Sequence, residues 1–148
     1  MRYLLLDRIT TWSPPERAVG VKCCALSEDY LEHHFPGHPV MPGALMIEGL
    51  AQLGGVLIEA SARMKLSGDR HALLLAADRA RFRQMVRPGD RLELEAVNMA
   101  CNADGGRVRG LARLGEAVVA EAELTYALVA VHNPELIARR RAYLNLWL

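Results

Sequence analysis

The stretch PGALMIEGLAQLGGVLIEASARM, residues 42–64, decides the fold. Ala, Leu, Met, Ile, Glu and Gln dominate it, and these are mostly good helix formers; Pro42 and Gly43 suit a first turn. Its first half is apolar around nearly the whole circumference. Such a helix must be wrapped by other structure rather than lie on a surface. The segment Lys65 to Arg70, with Gly68-Asp69, ends it. One carboxylate, Glu48, stands within the apolar half.

Working outward, the C-terminal side alternates apolar and polar residues and reads as antiparallel sheet. Candidate strands are His71–Gln84, Arg91–Cys101, Arg107–Leu114 and Ala117–Ala130. Asp104-Gly105-Gly106 and Gly115-Glu116 serve as turns, and Pro88-Gly89-Asp90 opens one strand. Val108, Leu111 and Leu114 share an inward face only if Gly110 marks a bulge or a bend. On the N-terminal side, Tyr3 to Ala25 is strand material broken at Ser13-Pro14-Pro15-Glu16, and Ser27 caps a short helical turn through Leu31. Asn133 caps a last helix from Pro134, so residues 133–148 form a helical tail on a single domain spanning 1–148. Two strands, a wholly apolar helix and four more strands give an α+β fold, in which a curled sheet hides the helix. A sheet this thin calls for a partner on its remaining edge, so dimerisation is expected.

Composition narrows the function classes. A net charge of +1 provides no field for nucleic acid, and no basic patch is interleaved with aromatics. MRYLLLDRITTW is too short an apolar run for a signal peptide, and the longest apolar run, Val40 to Ile58, carries Glu48 and four glycines. A chain without a membrane span, in the cytoplasm, is the expectation. Cys23, Cys24 and Cys101 include no C-x-x-C pair, and small buried or half-buried thiols are expected.

The loop before the helix, HHFPGHPVM (33–41), concentrates histidines around Pro-Gly. His33, His34 and His38 do not make a metal set, because Pro36 and Pro39 prevent a helical face from collecting them and no acid or cysteine completes a tetrahedron. No G-x-S-x-G elbow is present for nucleophilic hydrolysis. Acid–base chemistry fits: a histidine takes and returns protons near neutral pH, and burial of Glu48 would favour its neutral form. The amides at Pro42-Gly43 begin a helix, where a developing oxyanion is stabilised, and Gly43 lets a carbonyl approach. On these residues alone a second reading stays open: a structural histidine, and a glutamate hydrogen-bonded to Gln52 one turn on.

His34-Phe35-Pro36-Gly37-His38-Pro39-Val40-Met41-Pro42-Gly43, then Glu48 and Ala51-Gln52, resembles the signature of the 3-hydroxyacyl-acyl-carrier-protein dehydratases of fatty acid synthesis, in the FabZ-type branch. The isomerising branch has Asp where this chain has Glu48. Leu5-Leu6-Asp7-Arg8, Arg17-Ala18-Val19 with Lys22, Asp78 to Arg83 and Val86 to Asp90 extend the likeness along most of the chain. The resemblance implies the hotdog fold, homodimers that often assemble as trimers of dimers, and an acyl carrier protein as partner, with no cofactor and no metal. It implies that His34 removes the α-proton and that Glu48 of the second subunit protonates the leaving hydroxyl. By the same resemblance Gly43 binds the thioester carbonyl, Gln52 holds Glu48, and Phe35, Pro36, Met41 and Phe82 support or line the acyl site. Arg79, Arg81 and Arg83 are candidate carrier contacts, as are Arg139 to Arg141 unless these are simply a solvated helix end. The family's lead-in is reduced here to Arg2-Tyr3, and the tail exceeds minimal members. The competing readings are a hotdog thioesterase and a non-catalytic partner subunit.

Overall fold

The computed structural model describes residues 1–148. Its elements are β1 (Arg8–Ser13), β2 (Arg17–Cys23), a single 3-10 turn (Asp29–Leu31), α1 (Gly43–Arg63), β3 (Arg70–Phe82), β4 (Arg91–Cys101), β5 (Gly105–Leu114), β6 (Ala117–Ala130) and α2 (Pro134–Trp147). The strands form one antiparallel six-stranded sheet in the order β1-β2-β4-β5-β6-β3. It curls around α1, which is the hotdog architecture.

The inward face follows the period of two that a pleated strand imposes. Leu92, Leu94 and Ala96 of β4, Val108 and Ala112 of β5, and Ala120, Ala122, Leu124 and Tyr126 of β6 are all buried. They meet Leu50, Leu53, Val56, Leu57 and Ile58 of α1 in one core. α1 is long and apolar enough to cross a membrane, but the sheet encloses it and it serves as the core helix. Burying an apolar side chain of this size contributes about 1.5–3 kcal/mol.

Several signature residues prove to be structural. Lys22 is buried and its Nζ donates to Asp7 (3.2 Å) and Glu28 (2.8 Å), while Asp7 also accepts from the Cys23 amide at 2.7 Å. Burial alone would lower the Lys22 ammonium's pKa, yet the two carboxylates outweigh it and hold it above its ordinary value. Asp90 accepts from the Arg87 amide (2.8 Å) and closes the Arg87–Asp90 turn, which docks on Cys24.

The structure corrects five expectations. Tyr3 to Asp7 is not strand; it runs along α1, with Leu5 and Leu6 fully buried. Ser27 caps nothing: Glu28 holds the cap position of the 3-10 turn, where its carboxylate is drawn to Lys22. No bulge falls at Gly110: the register of β5 on β6 shifts only between Ala112 and Arg113, where the extra residue is Val119 of β6. Gly110 is instead a close approach, since a Cβ there would stand 3.2 Å from Leu50. Gly105 and Gly106 open β5, the turn itself being built by Asn102, whose side chain accepts from the Asp104 and Gly105 amides. Cys23 is exposed, on the face opposite buried Cys24.

Candidate active site

His34 sits in a small hairpin rather than a slack loop. Phe35 and His38 exchange backbone hydrogen bonds (2.9 and 2.8 Å) around Pro36-Gly37, and Gly37 has φ +71°. Proline then glycine with positive φ is what a type II turn requires at its two central positions. The Val40 amide donates to the His34 carbonyl (2.8 Å), and the Met41 amide ties the segment to Val86 (2.8 Å). The His34–Phe35 peptide is cis.

The same hairpin sets the histidine's tautomer. His34 Nδ1 lies 2.7 Å from the Val40 carbonyl oxygen. A carbonyl only accepts, so Nδ1 carries a proton, and in the neutral ring Nε2 is the nitrogen with the lone pair. The half-exposed Phe35 ring stacks on the imidazole at 4.1 Å and fixes its plane. Met41 is fully buried, so it supports the hairpin from the core and lines no open surface.

The hairpin runs directly into the start of α1. Pro42 is its N-cap, and the Pro42 carbonyl accepts from Leu45 (3.0 Å) and Met46 (3.4 Å). The Gly43 and Ala44 amides donate to no protein group. They are the orphan donors of a helix N-terminus, where partial positive charge accumulates. The Phe82 ring covers Gly43 so closely that a Cβ there would lie 2.7 Å from it.

Glu48 stands on the half-buried side of α1 and accepts from Gln52 Nε2 at 3.1 Å. Gln52 is itself fixed: Nε2 also donates to the Tyr3 carbonyl (3.1 Å), and Oε1 accepts from the Leu5 amide (3.0 Å). The negative charge of Glu48 pushes the Tyr3 phenol above its ordinary pKa, assisted by burial and hydrogen bonding to Glu48. Glu48 opens into a cleft of about 640 Å³ lined by Arg2, Tyr3, Leu4 and Gln52 on one side and Arg140, Tyr143, Leu146 and Trp147 on the other.

His34 does not line that cleft, and no hydrogen bond or ion pair within the chain joins it to Glu48. Thus the structure brings together His34 with Phe35 and Pro36, Gly43 with Phe82, and Glu48 with Gln52. It does not join base and acid in one chain. Of the candidate carrier contacts, Arg79 pairs with Glu123 (3.5 Å) and Arg83 with Glu121 (3.1 Å), while Arg81 makes no ion pair. Arg79 has φ +53° within the bulge that offsets β3 from β6. In the tail, Arg139 and Arg141 pair with Glu135 and Asp69.

Sequence reading missed the surroundings of the acid. Tyr3, Tyr143, Leu146 and Trp147 stand in its cleft, and Arg140 reaches Glu59, a fully buried carboxylate on the same helix face. The spacing Glu48–Gln52–Gly55–Glu59 was the available signal, since steps of four, three and four keep one helix face.

Residues 1–123 match the FabA-like domain. The chain is 40% identical over 134 residues, covering 90% of itself and 80% of the relative, to a 3-hydroxyacyl-[acyl-carrier-protein] dehydratase FabZ of a Caulobacter species. A FabZ dehydratase of Bacillus velezensis is 43% identical over 128 residues, 85% of this chain and 87% of the relative. Among solved structures, the dehydratase heterocomplex ApeI:P of Xenorhabdus doucetiae superposes with a TM-score of 0.70 at 18% identity, covering 92% of this chain and 88% of that one. That last likeness concerns the fold. Matched along most of its length by sequence, the chain belongs to the FabA-like family, among the FabZ-type 3-hydroxyacyl-acyl-carrier-protein dehydratases.

Proposed function

We propose that this protein converts a 3-hydroxyacyl thioester, carried on acyl carrier protein in the cytoplasm, to the trans-2-enoyl thioester and water. The observation that carries the reading is the tautomer of His34. With Nδ1–H committed to the Val40 carbonyl, Nε2 is the nitrogen that carries the lone pair of the neutral ring, on a hairpin that leads into the unpaired Gly43 amide.

In this mechanism the thioester carbonyl accepts from the Gly43 amide. His34 Nε2 takes the C2 proton, and charge gathering on the carbonyl oxygen is stabilised by that amide and the helix N-terminus. The C2 electron pair forms the C2–C3 double bond as the C3–oxygen bond breaks. Glu48 gives its proton to the departing hydroxyl, which leaves as water, and the imidazolium returns a proton to Glu48 for the next turnover. Gln52 orients the carboxyl throughout.

His34 does not line the cleft into which Glu48 opens, which supports a site completed by a second copy. β3 is a 13-residue edge strand paired only with β6, and Leu73, Leu74, Leu75 and Phe82 are exposed along it. An exposed apolar edge of that length is a template for strand pairing. A homodimer, itself able to assemble into a trimer of dimers, covers it and brings His34 of each copy toward Glu48 of the other. Arg81, free of ion pairs, is the residue of the Arg79, Arg81 and Arg83 group best placed to meet an acidic carrier.

The test is a dehydration assay on 3-hydroxyacyl carrier thioesters. The wild-type chain forms the enoyl product, and His34→Ala and Glu48→Gln each lower kcat about a thousandfold, as loss of general acid–base catalysis does. Activity in the double variant, or thiol release without enoyl product, would overturn the assignment.

A further inference from the structure

Helix α2 lies outside the residues matched to the FabA-like domain, yet it forms half of the cleft into which Glu48 opens. We propose that α2 is the wall on which the substrate's alkyl chain packs, with Tyr143 and Leu146 as specificity-determining residues. This rests on the dehydratase reading above.

The order of atoms in the substrate supports it. In that reading C1 is held at Gly43, C2 faces His34, and the C3 hydroxyl reaches Glu48 of the other copy. Carbon 4 and beyond must therefore continue past that carboxylate into whatever surrounds it. Five of the nine residues of that cleft are apolar or aromatic, Tyr3 and Leu4 on one side and Tyr143, Leu146 and Trp147 on the other, with Arg2, Gln52 and Arg140 as its polar members beside Glu48. Leu146 is 70% exposed and Tyr143 42%, so both offer surface that no protein group covers.

The wall is anchored rather than loose. Arg140 Nε and Nη2 donate to both oxygens of Glu59 (3.0 and 2.8 Å), which pins the middle of α2 to α1. At its end, Trp147 is buried against the core and stacks with Tyr143 at 6.1 Å. The ion pair also neutralises the one cation that α2 contributes, so the α2 side of the cleft is apolar while Arg2 stays on the opposite side.

The experiment compares kcat/KM for 3-hydroxybutyryl and 3-hydroxydecanoyl thioesters on one handle, in wild type, Tyr143→Ala and Leu146→Ala, each checked by circular dichroism. The four-carbon substrate ends one carbon past the hydroxyl, so it does not reach the wall. Lost methylene contacts should lower the ten-carbon value about tenfold relative to the four-carbon value, chiefly through KM. A ratio unchanged from wild type in both variants overturns the wall while leaving the dehydratase reading intact. Turnover of neither substrate by the wild-type chain overturns both.

Discussion

At the scale of single residues, the acid is held by one amide with no spare valence. Gln52 spends both donors and its acceptor on Glu48, Tyr3 and Leu5. Replacing Gln52 with Leu should lower kcat about tenfold with KM little changed, because an orienting contact is lost while the proton donor remains; steady-state kinetics on one substrate decides this. Gly43→Ala places a methyl group against the Phe82 ring, so the ring must swing off the helix start. Its kcat/KM should fall, and Phe82→Leu in the same chain should restore part of it. The Glu48–Gln52 contact was legible in the sequence because the two lie one helical turn apart, whereas Gln52's bonds to Leu5 and Tyr3, 47 and 49 positions away, were not. Arg140 was not, since its partner Glu59 is 81 positions away.

At the scale of elements, alternation announced the strands, whereas turn chemistry was read less well. Glycine signals a turn, a bulge and a close approach alike, and only the packed helix shows that Gly110 is the last of these. The anchoring of α2 rests on a buried carboxylate, so removing its counter-charge is costly. Arg140→Met should destabilise the protein by about 2–4 kcal/mol, because breaking a buried pair strands the other charge. Adding Glu59→Gln should recover part of that loss in denaturant unfolding. A second charged cluster makes stability depend on pH. Burial pushes the Glu95 carboxyl up, but Arg17 and Arg113 on neighbouring strands outweigh it and hold its pKa below the ordinary value. A depressed carboxyl adds stability that is fully present above its unfolded pKa and is lost as pH falls through the folded one. The Tm gap between wild type and Glu95→Gln should therefore be widest near neutrality and close in acid.

At the scale of the whole molecule, neither active-site half suffices in the proposed dimer. A mixture of His34→Ala and Glu48→Gln chains, refolded together, should regain about a quarter of wild-type activity, since half the dimers are mixed and each has one intact site. No recovery would place base and acid in the same chain. Lysine in place of Leu75 on the open edge of β3 should lower both the apparent mass and the activity, read by sedimentation at assay concentration. A sheet curled around one helix was legible in the first half of α1, apolar around nearly its whole circumference, and the resemblance implied the hotdog form of it. A second copy was an expectation from the thin sheet alone, because an edge strand has the same composition whether or not it finds a partner. Finally, the Arg140–Glu59 pair joins the part of the chain matched to the FabA-like domain with the part beyond it. In terms of descent, the two positions are expected to change together. A relative that lacks this terminal helix loses the counter-charge at the place of Glu59, where only the Ala72 amide would remain as a donor, so an uncharged residue is expected there.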